Sequence, residues 1–179
     1  MKKIAVLFSG HGTNFAYLAD NLSGEITLAI TNNPKASGQS IAKKHGIALE
    51  VIDQAGFGSR EDFDAALVES IQKADIDLVV LAGFMRILTP VFTDNIRAIN
   101  LHPSLLPRHK GLDAIKKSYE DEHDEGGVSV HWVNSELDGG EIILQKVLKK
   151  EGLSFEQYDM MIREMEKEAL LEAIRVVSS

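Results

Sequence analysis

Short apolar runs alternate with segments of helical periodicity through the first half of the chain, and this alternation limits the possible folds more than any other feature. The runs 3–8, 26–30, 48–52 and 78–82 have the length of buried strands and are followed by turn residues. Between them, apolar residues recur at the spacing of a helix face. The order βαβαβαβ predicts an α/β fold with a parallel sheet covered by helices, which binds ligands beyond the carboxyl ends of its strands.

The second half has a different pattern. We expect a short fifth strand, a helix, two further strands and a final helix that Ser154 caps, over the segments 96–100, 112–121, 127–133 and 142–148 and from 154 onward. Residues 127–133 alternate between apolar and polar side chains, which predicts a strand with two unlike faces.

The composition restricts the functional classes. A chain of 179 residues is most simply one domain, 1–179. A net charge of −8 argues against nucleic acid as the main partner, since phosphate backbones require basic surfaces. The absence of cysteine excludes disulfides and thiolate chemistry. With no apolar run of membrane-spanning length and no signal-peptide pattern, we expect a soluble, cytoplasmic protein.

A glycine loop follows the first predicted strand, with the sequence Ser-Gly-His-Gly-Thr-Asn over residues 9–14. A strand, a glycine loop and a helix aim backbone N–H groups at an anion, and Gly12 permits a close approach of the ligand to the backbone. Thr13 and Asn14 can bond a phosphate oxygen. The alternative is a plain turn in which Thr13 is the N-cap of the helix, and the loop matches neither the dinucleotide fingerprint nor the P-loop.

An amide, an imidazole and a carboxylate form the candidate reaction centre, from Asn100, His102 and Asp138. A nucleophile that attacks an acyl carbon must lose a proton and the leaving group must gain one, and histidine can serve both steps near neutral pH. The Asn100 amide can donate to the oxyanion of a tetrahedral intermediate. The spacing alone leaves two alternatives open, a structural histidine and an ordinary hairpin turn at Asp138.

Three other polar residues are candidates for a functional site. His131 shares a predicted strand face with Ser129 and either lies near His102 or is a half-buried strand histidine. Arg60 can bind a carboxylate, and Arg86 stands among apolar residues that suit a flat ligand. The histidines lack metal-ligand spacing, so we predict no metal.

Four motifs in this order resemble those of the phosphoribosylglycinamide formyltransferase family, which uses folate in purine synthesis. They are residues 9–14, the segment Leu-Ala-Gly-Phe-Met-Arg-Ile-Leu at 81–88, residues 100–107 and the segment Glu-Leu-Asp-Gly-Gly at 136–140. The resemblance covers nearly the whole chain. It implies a Rossmann-like formyltransferase fold with helices on both faces of the sheet, and formyl transfer from 10-formyltetrahydrofolate to the amine of 5-phosphoribosylglycinamide.

The resemblance also implies roles for individual residues. Asn100, His102 and Asp138 act together in catalysis, and His131 matches a second active-site histidine. The substrate is held by Gly12, Thr13, Asn14 and Glu166. The folate is held by Arg60, Met85, Arg86, Ile87, Leu88, Asn100, Asn134, Ser135, Glu136, Leu137 and Asp138. The implied partners are these small molecules, with no nucleic acid or membrane, and the chain is a monomer or a homodimer.

Related functions compete with this interpretation. Methionyl-tRNA formyltransferase and formyltetrahydrofolate deformylase use the same donor, but each normally carries a further domain, which we do not expect within 179 residues. A non-catalytic nucleotide-binding module would need the glycine loop but not the Asn100, His102 and Asp138 set.

Overall fold

The computed structural model describes residues 2–179, which form seven strands and six α-helices. In chain order the elements are β1 (Ile4–Phe8), α1 (Thr13–Asn21), β2 (Ile26–Thr31), α2 (Gln39–His45), β3 (Ala48–Val51), α3 (Arg60–Lys73), β4 (Leu78–Leu81), α4 (Pro90–Thr93), β5 (Ala98–His102), α5 (Ala114–Glu120), β6 (Glu125–Trp132), β7 (Ile142–Lys149) and α6 (Phe155–Ser178).

The described part of the chain divides into two compact units, residues 2–99 and residues 100–179. The boundary lies inside β5, whose last three residues belong to the second unit. Our prediction that 1–179 acts as a single domain stays a prediction.

The first unit contains the predicted βαβαβαβ order. Strand β1 pairs in parallel with β2 and β4, and β2 pairs in parallel with β3. Every residue of β1 and β4 is buried, which explains why their sequences are continuous apolar runs. Helix α3 begins at Arg60, and the Ser59 hydroxyl before it accepts from the backbone N–H of Asp62 at 3.1 Å.

Polar groups join the loops that follow β1, β2 and β4, at the carboxyl edge of the parallel strands. The Ser9 hydroxyl donates to Asn32 Oδ1 at 2.6 Å and accepts from the backbone N–H of Met85 at 2.8 Å. The Ser9 N–H donates to the Gly83 carbonyl at 3.1 Å. The glycine loop and the loop after β4 are therefore neighbours, as the parallel order predicted.

In the second unit, β6 and β7 form an antiparallel pair. The two unlike faces predicted for residues 127–133 do not include a solvent face, because Gly126–His131 are all buried. Tyr158 of α6 packs against Gly126 on one face, and Leu105 lies against Gly127 on the other. A strand covered on both faces has no solvent side on which polar side chains would be required.

Other predicted boundaries differ by a few residues. Strand β5 begins and ends two residues later than expected, so its last residue is His102. Helix α5 begins at Ala114 rather than Leu112, since Asp113 adopts a left-handed backbone with φ of 57°. Helix α6 begins with the expected Ser154 cap, and Gln157 completes a capping box.

The strand order of the sheet is β3-β2-β1-β4-β5-β6-β7. A mostly parallel sheet with helices confirms the predicted α/β class. Within residues 2–179, no helix combines the length and the apolar character that crossing a membrane requires.

Candidate active site

His102 and Asp138 meet in the second unit. The distance from His102 Nδ1 to Asp138 Oδ2 is 3.4 Å, and the side chains are only 8% and 6% exposed. His102 is the last residue of β5, and Asp138 lies in the connection between β6 and β7 with a left-handed φ of 51°. Aspartate tolerates this backbone better than most residues, so it can present its carboxylate on a sharp bend.

The segment 109–111 contacts both members of this pair. His102 Nε2 lies 2.7 Å from the carbonyl oxygen of His109, and the Gly111 N–H donates to Asp138 Oδ2 at 2.9 Å. Because a carbonyl oxygen only accepts, the first contact places a proton on His102 Nε2. When Nδ1 is also protonated, the ring is a cation directly beside the carboxylate.

His131 is the third titratable side chain of the site. It is 2% exposed, so the half-buried alternative is wrong. Its Nδ1 bonds the carbonyl of Trp132 at 2.9 Å, and its Nε2 lies 3.8 Å from Asp138 Oδ1 without a hydrogen-bond partner. Burial lowers the pKa of His131, against smaller opposing effects of the Trp132 carbonyl and Asp138. The ring is therefore neutral at pH 7, with the proton on Nδ1 and a free acceptor at Nε2.

Asn100 precedes His102 by two residues in β5, so the two side chains leave the strand on the same side. Asn100 is partly exposed. No hydrogen bond from its side chain to another group of residues 2–179 is present. The amide N–H₂ is thus available to an incoming ligand.

The glycine loop belongs to the first unit. Gly12 is the N-cap of α1 with φ of 72° and ψ of 34°, and no side chain caps the helix. The alternative in which Thr13 is the N-cap is therefore wrong, because Thr13 is already the first helical residue. Thr13 is exposed and Asn14 partly exposed. A helix start without a side-chain cap leaves backbone N–H groups available to an anion.

Arg86 and its neighbours also lie in the first unit, in the loop after β4. The Arg86 guanidinium donates to Gln54 Oε1 at 3.0 Å and stands 4.2 Å from the centre of the Phe63 ring. The side chain of Met85 is 72% exposed and that of Ile87 is 58% exposed, whereas Leu88 is partly buried. Arg60 is the exposed first residue of α3.

The remaining predicted residues lie in the second unit. Four of them form the exposed start of the β6–β7 connection: Asn134, Ser135, Glu136 and Leu137. The Asn134 side chain accepts from the Glu136 N–H at 2.9 Å, and Glu136 pairs with Lys110 at 3.3 Å. Glu166 lies in the middle of α6 and is partly buried.

Three residues that the sequence analysis did not select contact this site or support it. They are His109 and Gly111, whose backbone groups bond the His102 and Asp138 pair, and Asp121, whose carboxylate bonds the His109 ring at 2.7 Å. Backbone contacts carry no signal in the identity of a side chain. Asp121 lies in an acidic stretch of a kind typical of exposed surface, so only the folded structure shows that it bonds His109 and Lys150.

We found no group of three or more histidine, aspartate or glutamate side chains arranged to hold a metal ion within residues 2–179. The prediction of no metal stays a prediction.

Comparison with known proteins adds independent information. The formyl transferase family model matches residues 2–174. The chain is 40% identical over 174 residues to phosphoribosylglycinamide formyltransferase of Haemophilus influenzae, which covers 93% of this chain and 82% of that protein. It is 36% identical over 188 residues to the trifunctional purine biosynthetic protein adenosine-3 of Chironomus tentans, covering 99% of this chain and 14% of that longer protein.

A solved structure is similar throughout. The crystal structure of phosphoribosylglycinamide formyltransferase from Campylobacter jejuni superimposes with a TM-score of 0.95 at 48% identity. The match covers 99% of this chain and 98% of that one.

Proposed function

The chain belongs to the phosphoribosylglycinamide formyltransferase family, and on that basis we propose how its residues transfer the formyl group. It is a one-carbon transferase of purine biosynthesis with a folate co-substrate as formyl donor. The donor we propose is 10-formyltetrahydrofolate, and the acceptor is the primary amine of 5-phosphoribosylglycinamide.

The observation that carries the proposed mechanism is the buried contact between His102 and Asp138. An imidazole that is shielded from water and paired with a carboxylate can hold and release a proton at a defined place. A structural ion pair would have the same composition. Here, however, Asn100 leaves β5 on the same side as His102, and His131 Nε2 lies 3.8 Å from Asp138 Oδ1.

The reaction begins when the acceptor amine attacks the formyl carbon, which forms a C–N bond and a tetrahedral intermediate with an oxyanion. The Asn100 side chain donates to that oxyanion. The attacking nitrogen then loses a proton and the folate nitrogen gains one as its bond to the formyl carbon breaks. His102 mediates this exchange with Asp138 beside it, and the neutral His131 offers an acceptor at Nε2.

Each unit carries candidate substrate-binding residues. In the first unit, Gly12, Thr13 and Asn14 would hold the ribose phosphate through the N-terminus of α1. Arg60, Met85, Arg86, Ile87 and Leu88 are the candidate folate contacts of that unit, and residues 134–138 are those of the second unit. Glu166 would bond the glycinamide group. Exposed apolar side chains support each of these assignments, those of Met85 and Ile87 in the first unit and that of Leu137 in the second, since a flat ligand would cover such surface.

The decisive experiment offers the purified protein 10-formyltetrahydrofolate and three competing acceptors: phosphoribosylglycinamide, methionyl-tRNA and water. We expect tetrahydrofolate to be released only with the first acceptor. Formylation of the tRNA, or release with water alone, would refute the proposal and favour the methionyl-tRNA formyltransferase or the deformylase, respectively.

The role of His102 is tested with a matched pair of variants. His102→Gln removes the paired imidazole of the site, whereas His45→Gln removes a second paired imidazole, which contacts Asp20 at 3.2 Å near the surface. We expect the first variant to lose turnover while it still binds both substrates, and the second to behave like the wild type. Equal turnover in both variants would contradict the role of His102.

A further inference from the structure

A cluster of charged side chains lies behind the proposed catalytic pair and takes no part in the chemistry described above. Its members are Arg108, His109, Asp121 and Lys150. Asp121 is the centre, with Oδ2 2.7 Å from His109 Nε2 and 3.6 Å from Arg108 Nη1, and with Oδ1 2.7 Å from Lys150 Nζ. Asp121 is 13% exposed and Lys150 is 10% exposed at the side chain, so solvent screens these contacts weakly.

Lys150 fixes this cluster to the fold. Its ammonium group also donates to backbone carbonyls at the end of α5, those of Ser118 at 2.7 Å, Tyr119 at 3.3 Å and Asp121 at 3.2 Å. The Lys150 ammonium group therefore bonds both the backbone carbonyl and the side-chain carboxylate of Asp121. A carboxylate in a fixed place can anchor whatever binds to its second oxygen, which here is the His109 ring.

The backbone of His109 is in a conformation that needs support. Its φ is 55°, in the left-handed region that side chains other than glycine rarely adopt. The ring is bonded to Asp121, and the carbonyl oxygen of the same residue accepts from His102 Nε2. The anchored ring thus keeps the carbonyl in the position where His102 meets it.

The same short segment also orients the second member of the pair. Gly111, two residues after His109, donates its N–H to the Asp138 carboxylate. A shift of the segment 109–111 would therefore move the partners of His102 and Asp138 together. Proton transfer depends steeply on such placement.

We propose that Asp121 is a positioning residue for formyl transfer, which acts by anchoring the His109 ring and thereby the segment 109–111 that orients His102 and Asp138. This role deepens the proposed function and rests on it. Asp121 does not touch substrate in this scheme. Its effect reaches the reacting groups only through the His109 carbonyl and the Gly111 N–H.

The charge on Asp121 is constant under ordinary conditions. Burial alone would raise the pKa of Asp121, but the hydrogen bonds from Lys150, His109 and the His123 backbone N–H outweigh it and hold that pKa well below its usual range. Tyr158 is the remaining titratable neighbour, and burial, with a further effect of the Asp121 charge, raises its pKa. Neither group changes charge near neutral pH.

The test compares Asp121→Asn, His109→Gly and the double variant. Asparagine removes the charge with little change of shape, and glycine adopts the left-handed backbone freely while it removes the anchored ring. Each single variant should lower kcat by about tenfold or more, since a small misplacement near the chemistry is costly. KM for both substrates should stay close to that of the wild type, and the pH profile of kcat should move.

Coupling separates this role from a merely structural one. If Asp121 acts through His109, the double variant should be no slower than the slower single variant. The control is Glu172→Gln, which breaks a surface ion pair with Lys146 at 2.7 Å on the same unit and should keep wild-type kcat and pH profile. The proposal would be overturned if the fold-reductions in kcat of the two single variants multiply in the double variant, or if kcat is unchanged in either single variant.

A spectroscopic measurement tests the positioning role independently of enzymatic turnover. In ¹⁵N NMR of the histidine rings, wild-type His102 should show a protonated Nε2, and both single variants should change this signal. An unchanged His102 signal in folded Asp121→Asn and His109→Gly proteins would overturn the positioning role. Failure of the wild type to formylate phosphoribosylglycinamide would refute the proposed function alone, because the NMR comparison does not depend on turnover.

Discussion

Replacing Asp138 with asparagine removes the negative charge beside His102 and leaves the size of the side chain nearly unchanged. The amide oxygen can still accept from the Gly111 N–H, which lies 2.9 Å from the carboxylate. The turn should therefore keep its shape. What is lost is the attraction between a carboxylate and a protonated His102 ring.

The distance sets the size of the expected effect. Two unit charges 3.4 Å apart attract each other by about 5 kcal/mol at an effective dielectric constant of about 20. The amide dipole retains part of this attraction, so we expect a loss of roughly 3 to 4 kcal/mol in the transition state. Since about 1.4 kcal/mol corresponds to a tenfold change in rate, kcat should fall by roughly 10² to 10³.

The assay follows tetrahydrofolate release under saturating substrates, with thermal unfolding measured in parallel. The matched control is Asp20→Asn, which removes the carboxylate of the His45 pair, where the two side chains are 23% and 63% exposed. Solvent screens that pair, so kcat should not change. If Asp138→Asn is folded and turns over as fast as Asp20→Asn, the electrostatic reasoning is refuted.

Three other predictions address the remaining parts of the site. Asn100→Ala should lower kcat by about 10² to 10³, as loss of an oxyanion donor does in other enzymes. A kcat near the wild-type value at saturating substrate would contradict this. Gly12→Ala should lower the unfolding midpoint and raise KM for phosphoribosylglycinamide, because φ is 72° and the new Cβ would lie 3.0 Å from Ile41 Cδ1; calorimetry and initial rates check both effects. His131 should stay neutral as the pH falls from about 8 to 6.5, since burial lowers its pKa. Below about pH 6.5 the unfolded chain binds this proton more readily, so the stability should fall with pH, and a ring signal in NMR that titrates near the ordinary value would disprove this.

Much of the fold could be predicted because local patterns express it. Continuous apolar runs identified β1 and β4, and the Ser154 cap marked the start of the last helix. Periodicity shows which residues share a face of a strand, but not what covers that face. The pattern of strand β6 therefore did not show that both of its faces are buried, since Tyr158 and Leu105 cover them from distant parts of the chain.

The sequence by itself determined the order of the elements, the glycine turn before α1 and the chemical types available for formyl transfer, because backbone preference and side-chain chemistry are local properties. Only the tertiary structure decided that Asp138 meets His102, that His131 is buried beside them, and that Asp121 anchors the His109 segment. Those contacts join residues far apart in the chain and partly through backbone atoms. Pairing across such separations depends on how strands and turns pack, which no local pattern of residues records.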